Sequence, residues 1–231
     1  MAFAYIIEHM EEDDEVSRVV PPWVELEYAH MRKLAGPGSQ VHFTHLSKSS
    51  SDSLTAKFTE NASDGQANAI CHESGVLDLI KERLSGSLEK VCLLDPKAEK
   101  ELSPEDGDGR FEWFLFGGIL GDDPPRDRTA ELRVLGFPSR HLGPTQMTTD
   151  TALGVTKRVV QDQVPLDKIP YVDHPTIKFN AKESVEMPFR LLKFGIVSNR
   201  QSEYIAENGE PLLPPGMREL LFEDMNKGFE F

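Results

Sequence analysis

Cysteine is scarce in this chain: Cys71 and Cys92 are the only two in 231 residues. Two cysteines build no disulfide framework, and their separation lacks the short paired spacing of a zinc site, so no bound metal is expected. Positive charge is also short, with 25 Lys plus Arg against 39 Asp plus Glu and a formal net charge of -14. Extended contact with nucleic-acid phosphates is therefore electrostatically unfavourable, and a basic protein partner suits the charge better. Long apolar runs are missing too, since none approaches the roughly 20 residues needed to span a bilayer. The amino end, Met1-Ala2-Phe3-Ala4-Tyr5-Ile6-Ile7, turns acidic at once and has no basic stretch ahead of it. No membrane association is expected, and the cytoplasm or nucleus follows as the compartment, with the cytoplasm as the expectation. Neither the Gly-x-x-x-x-Gly-Lys-Ser/Thr loop nor Gly-x-Gly-x-x-Gly occurs, which removes the common ATPase and dinucleotide fingerprints.

What is present suffices for a globular fold. Hydrophobic residues make up 39% of the chain and charged ones 28%, enough for a sizeable core under a heavily solvated surface. Residues 3–8 read as a first strand. Pro21-Pro22 opens a helix whose apolar stripe is Val24, Tyr28, Met31 and Leu34 or Ala35, with Gly36-Pro37 as its stop. A second strand follows over 41–46, then a serine-rich turn over 47–53 and a polar helical stretch. A helix over 75–84, a third strand over 91–94 and an exposed acidic connection over 99–110 come next. Beyond these lie a strand over 113–120, a short helix over 129–133, a short strand over 134–135 and a longer helix over 149–163. Short strands are expected over 176–179 and 187–192, and a polar, Pro-rich tail with one amphipathic fragment over 217–225 ends the chain. Strands alternating with helices point to βαβ units and a mainly parallel sheet.

The stretch 117–152 carries the most information. It packs turn-forming and hydrogen-bonding residues behind an apolar strand, and in open α/β sheets ligands bind at the carboxyl ends of strands. Gly117, Gly118 and Gly121 let the backbone approach a ligand closely, and Asp122, Asp123, Arg126, Asp127 and Arg128 add both signs of charge. Thr148 or Thr149 caps the helix that follows, leaving its first amides for an anion or a ligand carboxylate. Alone, these features also fit a tight strand exit, surface ion pairs and an ordinary capped helix. Cys71-His72 is a poor nucleophile pair, because adjacent residues rarely face each other.

The sequence FGGILGDDPPRDRT followed by LGFPSRHLGPTQMTTDTA resembles the signature of SPOUT-class S-adenosylmethionine-dependent methyltransferases, and within them the yeast-type protein arginine methyltransferases acting on a small-subunit ribosomal protein. The likeness extends more weakly from the first strand, through the Trp23 to Met31 helix, to about Leu192. It implies an α/β fold whose mainly parallel sheet, flanked by helices, carries a C-terminal deep trefoil knot. A methyltransferase domain over 1–200 would have its knotted part at about 111–195, with a tail over 201–231 packed on it. It further implies S-adenosyl-L-methionine as donor and S-adenosyl-L-homocysteine as product. The donor would be held by Phe116, Gly117, Gly118, Leu120, Gly121, Arg126, Leu135, His141, Leu142, Gly143, Gln146, Met147, Thr148, Thr149 and Thr151. An arginine nucleophile brings a guanidinium with a pKa above 12, which must be bound and then relieved of a proton. Carboxylates do both, so Asp122, Asp123 and, behind them, Glu131 are the catalytic candidates. The substrate implied is ribosomal protein three of the small subunit, and the enzyme would act as a monomer.

Two rival readings differ in kind. An RNA methyltransferase acting on rRNA or tRNA would need a basic groove with stacking aromatics, against the net charge. A non-catalytic module would bind the donor and transfer nothing.

Overall fold

The computed structural model describes residues 3–118, 127, 129–193 and 210–227. Asp122, Asp123, Leu120, Gly121 and Arg126 lie outside the described residues. The organising element is β1 (Ala4–Glu8), five buried residues of which the first four, Ala4 to Ile7, form an unbroken apolar run. Such a run suits a strand covered on both faces, and β1 sits inside a parallel sheet. Its neighbours are β2 (Gln40–Thr44) and β5 (Trp113–Gly117); outside them come β3 (Asn68–Cys71), β4 (Val91–Leu94) and β6 (Ser139–Arg140). The order is β3-β2-β1-β5-β4-β6, every pairing parallel.

Alternation along the strands divides the core in two. Phe3, Tyr5, Ile7, Phe43, Phe114 and Phe116 face one layer of helices, α1 (Pro22–Ala35), α2 (Lys48–Glu60) and α5 (Thr149–Val160). Ala4, Ile6, Leu93, Trp113 and Leu115 face the other, α3 (Val76–Arg83) and α4 (Ala130–Arg133). Each fully buried Leu, Ile or Phe contributes roughly 1.5–3 kcal/mol relative to exposure. Outside the main sheet, β7 (Tyr171–Asp173) pairs antiparallel with β10 (Arg190–Leu192), and β8 (Thr176–Lys178) with β9 (Ser184–Glu186). The last element, α6 (Met217–Lys227), rests against α1, with Met217 buried and Phe222 5.3 Å from Phe179, centroid to centroid.

Several local expectations are corrected. The serine run is not a turn: Ser47 accepts a hydrogen bond from the Ser50 amide at 3.1 Å and so caps α2, which runs through the serines to bury Leu54 and Phe58. β3 went unread because it is a short, half-exposed edge strand. Val134 is 83% exposed just after α4, and Gly136 turns the chain with φ 84°, so the strand falls at Ser139–Arg140 instead of 134–135. The connection over 99–110 is not wholly exposed. Leu102 and Asp106 are buried, and Arg140 clamps Asp106 with contacts of 2.9–3.1 Å.

Candidate active site

The sheet changes direction beside β1, with β5 inserted between it and β4, and ligands of open α/β folds bind at such points. A cavity of about 340 Å³ opens there, over the carboxyl ends of β4 and β5. Its floor is Leu94 and Phe116, each the last apolar residue of its strand, followed by Asp95-Pro96-Lys97 and Gly117. The opposite wall is the segment from Leu142 to Met147 that leaves β6, continued by Thr149 and Ala152 on α5. Among the described residues, Asp127 and Thr129 also line it.

The walls are tied together by named contacts. Thr149 Oγ1 donates to the Gly118 carbonyl at 2.7 Å, joining the amino end of α5 to the exit of β5. Arg133 forms a fork with Asp95, at 2.5 and 2.6 Å, and reaches Asp127 at 3.2 Å. Lys97 meets Asp127 at 2.7 Å. The paired carboxylates hold the Arg133 guanidinium more firmly protonated than usual, and Arg133 with Lys97 lowers the pKa of Asp127.

Of the residues singled out in the sequence, Phe116, Gly117, Leu142, Gly143, Gln146, Met147 and Thr149 line this cavity. Gly118 stands behind it as the acceptor for Thr149. Thr148 precedes α5, but its hydroxyl donates to that of Thr151 at 2.9 Å and caps no backbone amide. The His141 ring accepts from the Gly143 amide at 3.1 Å, shaping the wall from outside. Leu135 and Glu131 line a second cavity, of about 630 Å³, together with Glu8, His45, Asp78 and Asp127. Asp127 thus borders both cavities. The sequence reading missed Leu94, Asp95, Pro96 and Lys97 as wall residues, although an apolar strand ending in Asp-Pro is itself a signal for a functional strand end.

The cavity fits a nucleoside-type donor chemically. Apolar Leu94, Phe116, Leu142, Met147 and Ala152 provide flat walls, and Thr129, Thr145, Gln146 and Thr149 provide a few placed polar groups. Gly143 has φ 95°, and a Cβ built on it meets nothing within 4 Å, so its backbone is bare and open to close approach. Among the described residues, no group of three or more His, Cys, Asp or Glu is placed to hold a metal, and no helix is long and apolar enough to cross a membrane.

Cys71 and His72 do not form a nucleophile pair. Burial raises the Cys71 thiol and lowers His72, whose Nε2 instead lies 3.0 Å from His42 Nδ1.

Comparison with known proteins converges on one family. The family model described as protein arginine N-methyltransferase SFM1-like matches residues 4–228. Protein arginine N-methyltransferase SFM1 of Saccharomyces cerevisiae is 36% identical over 232 aligned positions, covering 95% of this chain and 94% of the yeast protein. The crystal structure of the yeast arginine methyltransferase SFM1 complexed with SAM superposes with a TM-score of 0.75 at 35% identity, covering 97% of this chain and 92% of that one. Its SAH complex gives 0.70 at 34% identity, covering 94% and 93%. This chain belongs to the SFM1-like family of protein arginine N-methyltransferases.

Proposed function

We propose that this protein is an S-adenosylmethionine-dependent methyltransferase that modifies an arginine of a basic protein, and that its substrate is ribosomal protein three of the small subunit. The observation that carries the reading is 36% identity, across nearly the whole of both chains, with a yeast protein named as an arginine N-methyltransferase. The cavity over β4 and β5 supports it by its position and lining. Phe116, Gly117, Leu142, Gly143, Gln146, Met147 and Thr149 would hold the donor directly. Gly118, Leu135, His141, Thr148 and Thr151 would support them, and Leu120, Gly121 and Arg126 belong to the same proposal. The donor supplies an activated methyl group on a sulfonium centre. The chain's own contribution is to hold the acceptor nitrogen in line with that methyl and to keep water out. The guanidinium must give up a proton as it is methylated, and Asp122, Asp123 and Glu131 are the proposed carboxylates for that task. A trefoil knot and a monomeric enzyme in the cytoplasm complete the reading.

The net charge of -14 gives a physical reason for a basic partner, since it steers cations toward the protein in a salt-dependent way. Purified protein, labelled donor and an extract from cells lacking the enzyme test the proposal. The expected label survives nuclease, is lost to protease and is recovered as methylarginine. Label lost only to nuclease overturns it.

A further inference from the structure

The second cavity is built around a carboxylate that the donor cavity does not use. Glu8 is the last residue of β1 and only 8% exposed. It stands opposite Gly117 in the β1–β5 ladder, and its carbonyl accepts from the Gly118 amide at 2.8 Å. Neighbouring strands lie about 4.8 Å apart, so Glu8 is one strand away from the glycine that lines the donor cavity. Its side chain is fixed from two directions. The Thr44 hydroxyl donates to Oε2 at 2.5 Å, and the Val76 amide at the start of α3 donates to the same oxygen at 2.9 Å. Among the described residues, both of these bonds fall on Oε2, and Oε1 lies toward Gly75, another wall of the cavity. Asp78 and Glu131, both exposed, stand at the rim, and Asp127 is shared with the donor cavity.

Each alternative role for Glu8 is weaker. Asp127 is already engaged by Arg133 and Lys97, so it has little capacity left for a third cation. A purely structural Glu8 would be an expensive device, since burial raises its pKa despite both hydrogen bonds. A buried carboxylate held rigid through Oε2, with Oε1 on the side of a cavity lined by Asp78, Asp127, Glu131 and His45, leaves one anionic oxygen to accept from a cationic N–H donor.

We propose that this cavity receives the substrate's arginine side chain and that Glu8 is the carboxylate that binds its guanidinium. The inference rests on the reading of the chain as an arginine methyltransferase. It adds the place where the cation docks, beside β1, and names a carboxylate other than Asp122 and Asp123.

Agmatine, an arginine side chain without a carboxylate, is the probe, with binding followed by ligand-observed NMR on the full chain. Wild-type protein should bind it, and Glu8→Gln should weaken binding at least tenfold while its circular-dichroism spectrum stays that of the folded wild type. Wild-type protein that fails to bind agmatine, or a folded Glu8→Gln that binds it equally, overturns the proposal. If Glu8→Gln does not fold, the rim decides: Asp78→Asn with Glu131→Gln should weaken binding several-fold, and unchanged binding overturns it. The extract labelling assay run in parallel separates the two claims. Agmatine bound without any label transfer defeats the methyltransferase reading and leaves the site. Equal transfer by wild type and Glu8→Gln, with no agmatine bound, defeats the site and leaves the reading.

Discussion

Thr149 and Gly118 meet across the candidate active site, the threonine hydroxyl donating to the glycine carbonyl at 2.7 Å although 31 positions separate them in sequence. Both residues are buried, and Gly118 has φ 45°, a conformation that glycine adopts without strain. Thr149→Val keeps the shape and removes the donor, leaving a buried carbonyl unpaired. A loss of about 1–2 kcal/mol in urea unfolding is expected. Binding of S-adenosylhomocysteine, followed by calorimetry, should weaken several-fold because β5 and α5 are no longer tied.

Arg133 contacts two carboxylates of unequal value. Asp95 is 2% exposed and receives the short fork, whereas Asp127 is 35% exposed and more distant. Arg133→Met leaves Asp95 buried and uncompensated, with an expected cost of about 2 kcal/mol, reduced from the fully buried case because Arg133 itself meets solvent. Asp127→Asn should cost under about 1 kcal/mol. Denaturant unfolding of the two variants measures both costs, and a double-mutant cycle of Arg133→Met with Asp127→Asn isolates their coupling.

Glu27 gives the pH dependence a sign. Burial, then Asp150 and Glu11, push its carboxyl well above the usual range, and its Oε2 is buried without a hydrogen-bond partner. The folded state therefore holds a proton that the unfolded chain releases near pH 4.3, so the stability this group contributes is full below that pH and declines as pH rises toward its folded value. Glu27→Gln should flatten that decline and raise the melting temperature at pH 7–8, with little change at pH 4. A melting temperature that falls at pH 8 contradicts this account.

The thiols are expected to be inert in the native state. Cys92 is fully buried and pushed up to about 12 by desolvation, and Cys71 is raised for the same reason. Iodoacetamide at pH 7.5, read by mass spectrometry, should leave Cys92 unmodified until denaturant is added. Cys71→Ser should keep full methyl transfer, and loss of transfer would restore the thiol to consideration.

How much of this was legible follows from where the information lies. β1 and β5 are mostly apolar runs buried on both faces, so their existence and the mainly parallel character of the sheet could be read from residue order, whereas their pairing with each other comes only from the fold. Seven of the singled-out residues, Phe116, Gly117, Leu142, Gly143, Gln146, Met147 and Thr149, line one cavity because two chain segments rich in turn residues converge on adjacent strand ends. Glu8 escaped notice because nothing in AYIIE marks its last residue as more than the polar end of a strand. Its meaning comes from Thr44, Val76 and Gly117, which only the folded chain brings beside it. Asp106 was likewise lost in an acidic connection, since pairing with Arg140 is a long-range event. Ser139–Arg140 lacked a strand pattern because an edge strand of two residues owes its place to the neighbour, β4.

Gly107 packs against the far end of the helix that enters the active site. A methyl group there would stand 2.2 Å from the Val160 carbonyl oxygen at the far end of α5. Twelve residues make α5 a rod about 18 Å long, and its opposite end carries Thr149 and Ala152 into the donor cavity. The β4–β5 connection is therefore closely fitted to the carboxyl end of the helix whose amino end carries Thr149, and a bulkier residue at 107 is expected to displace one of the two.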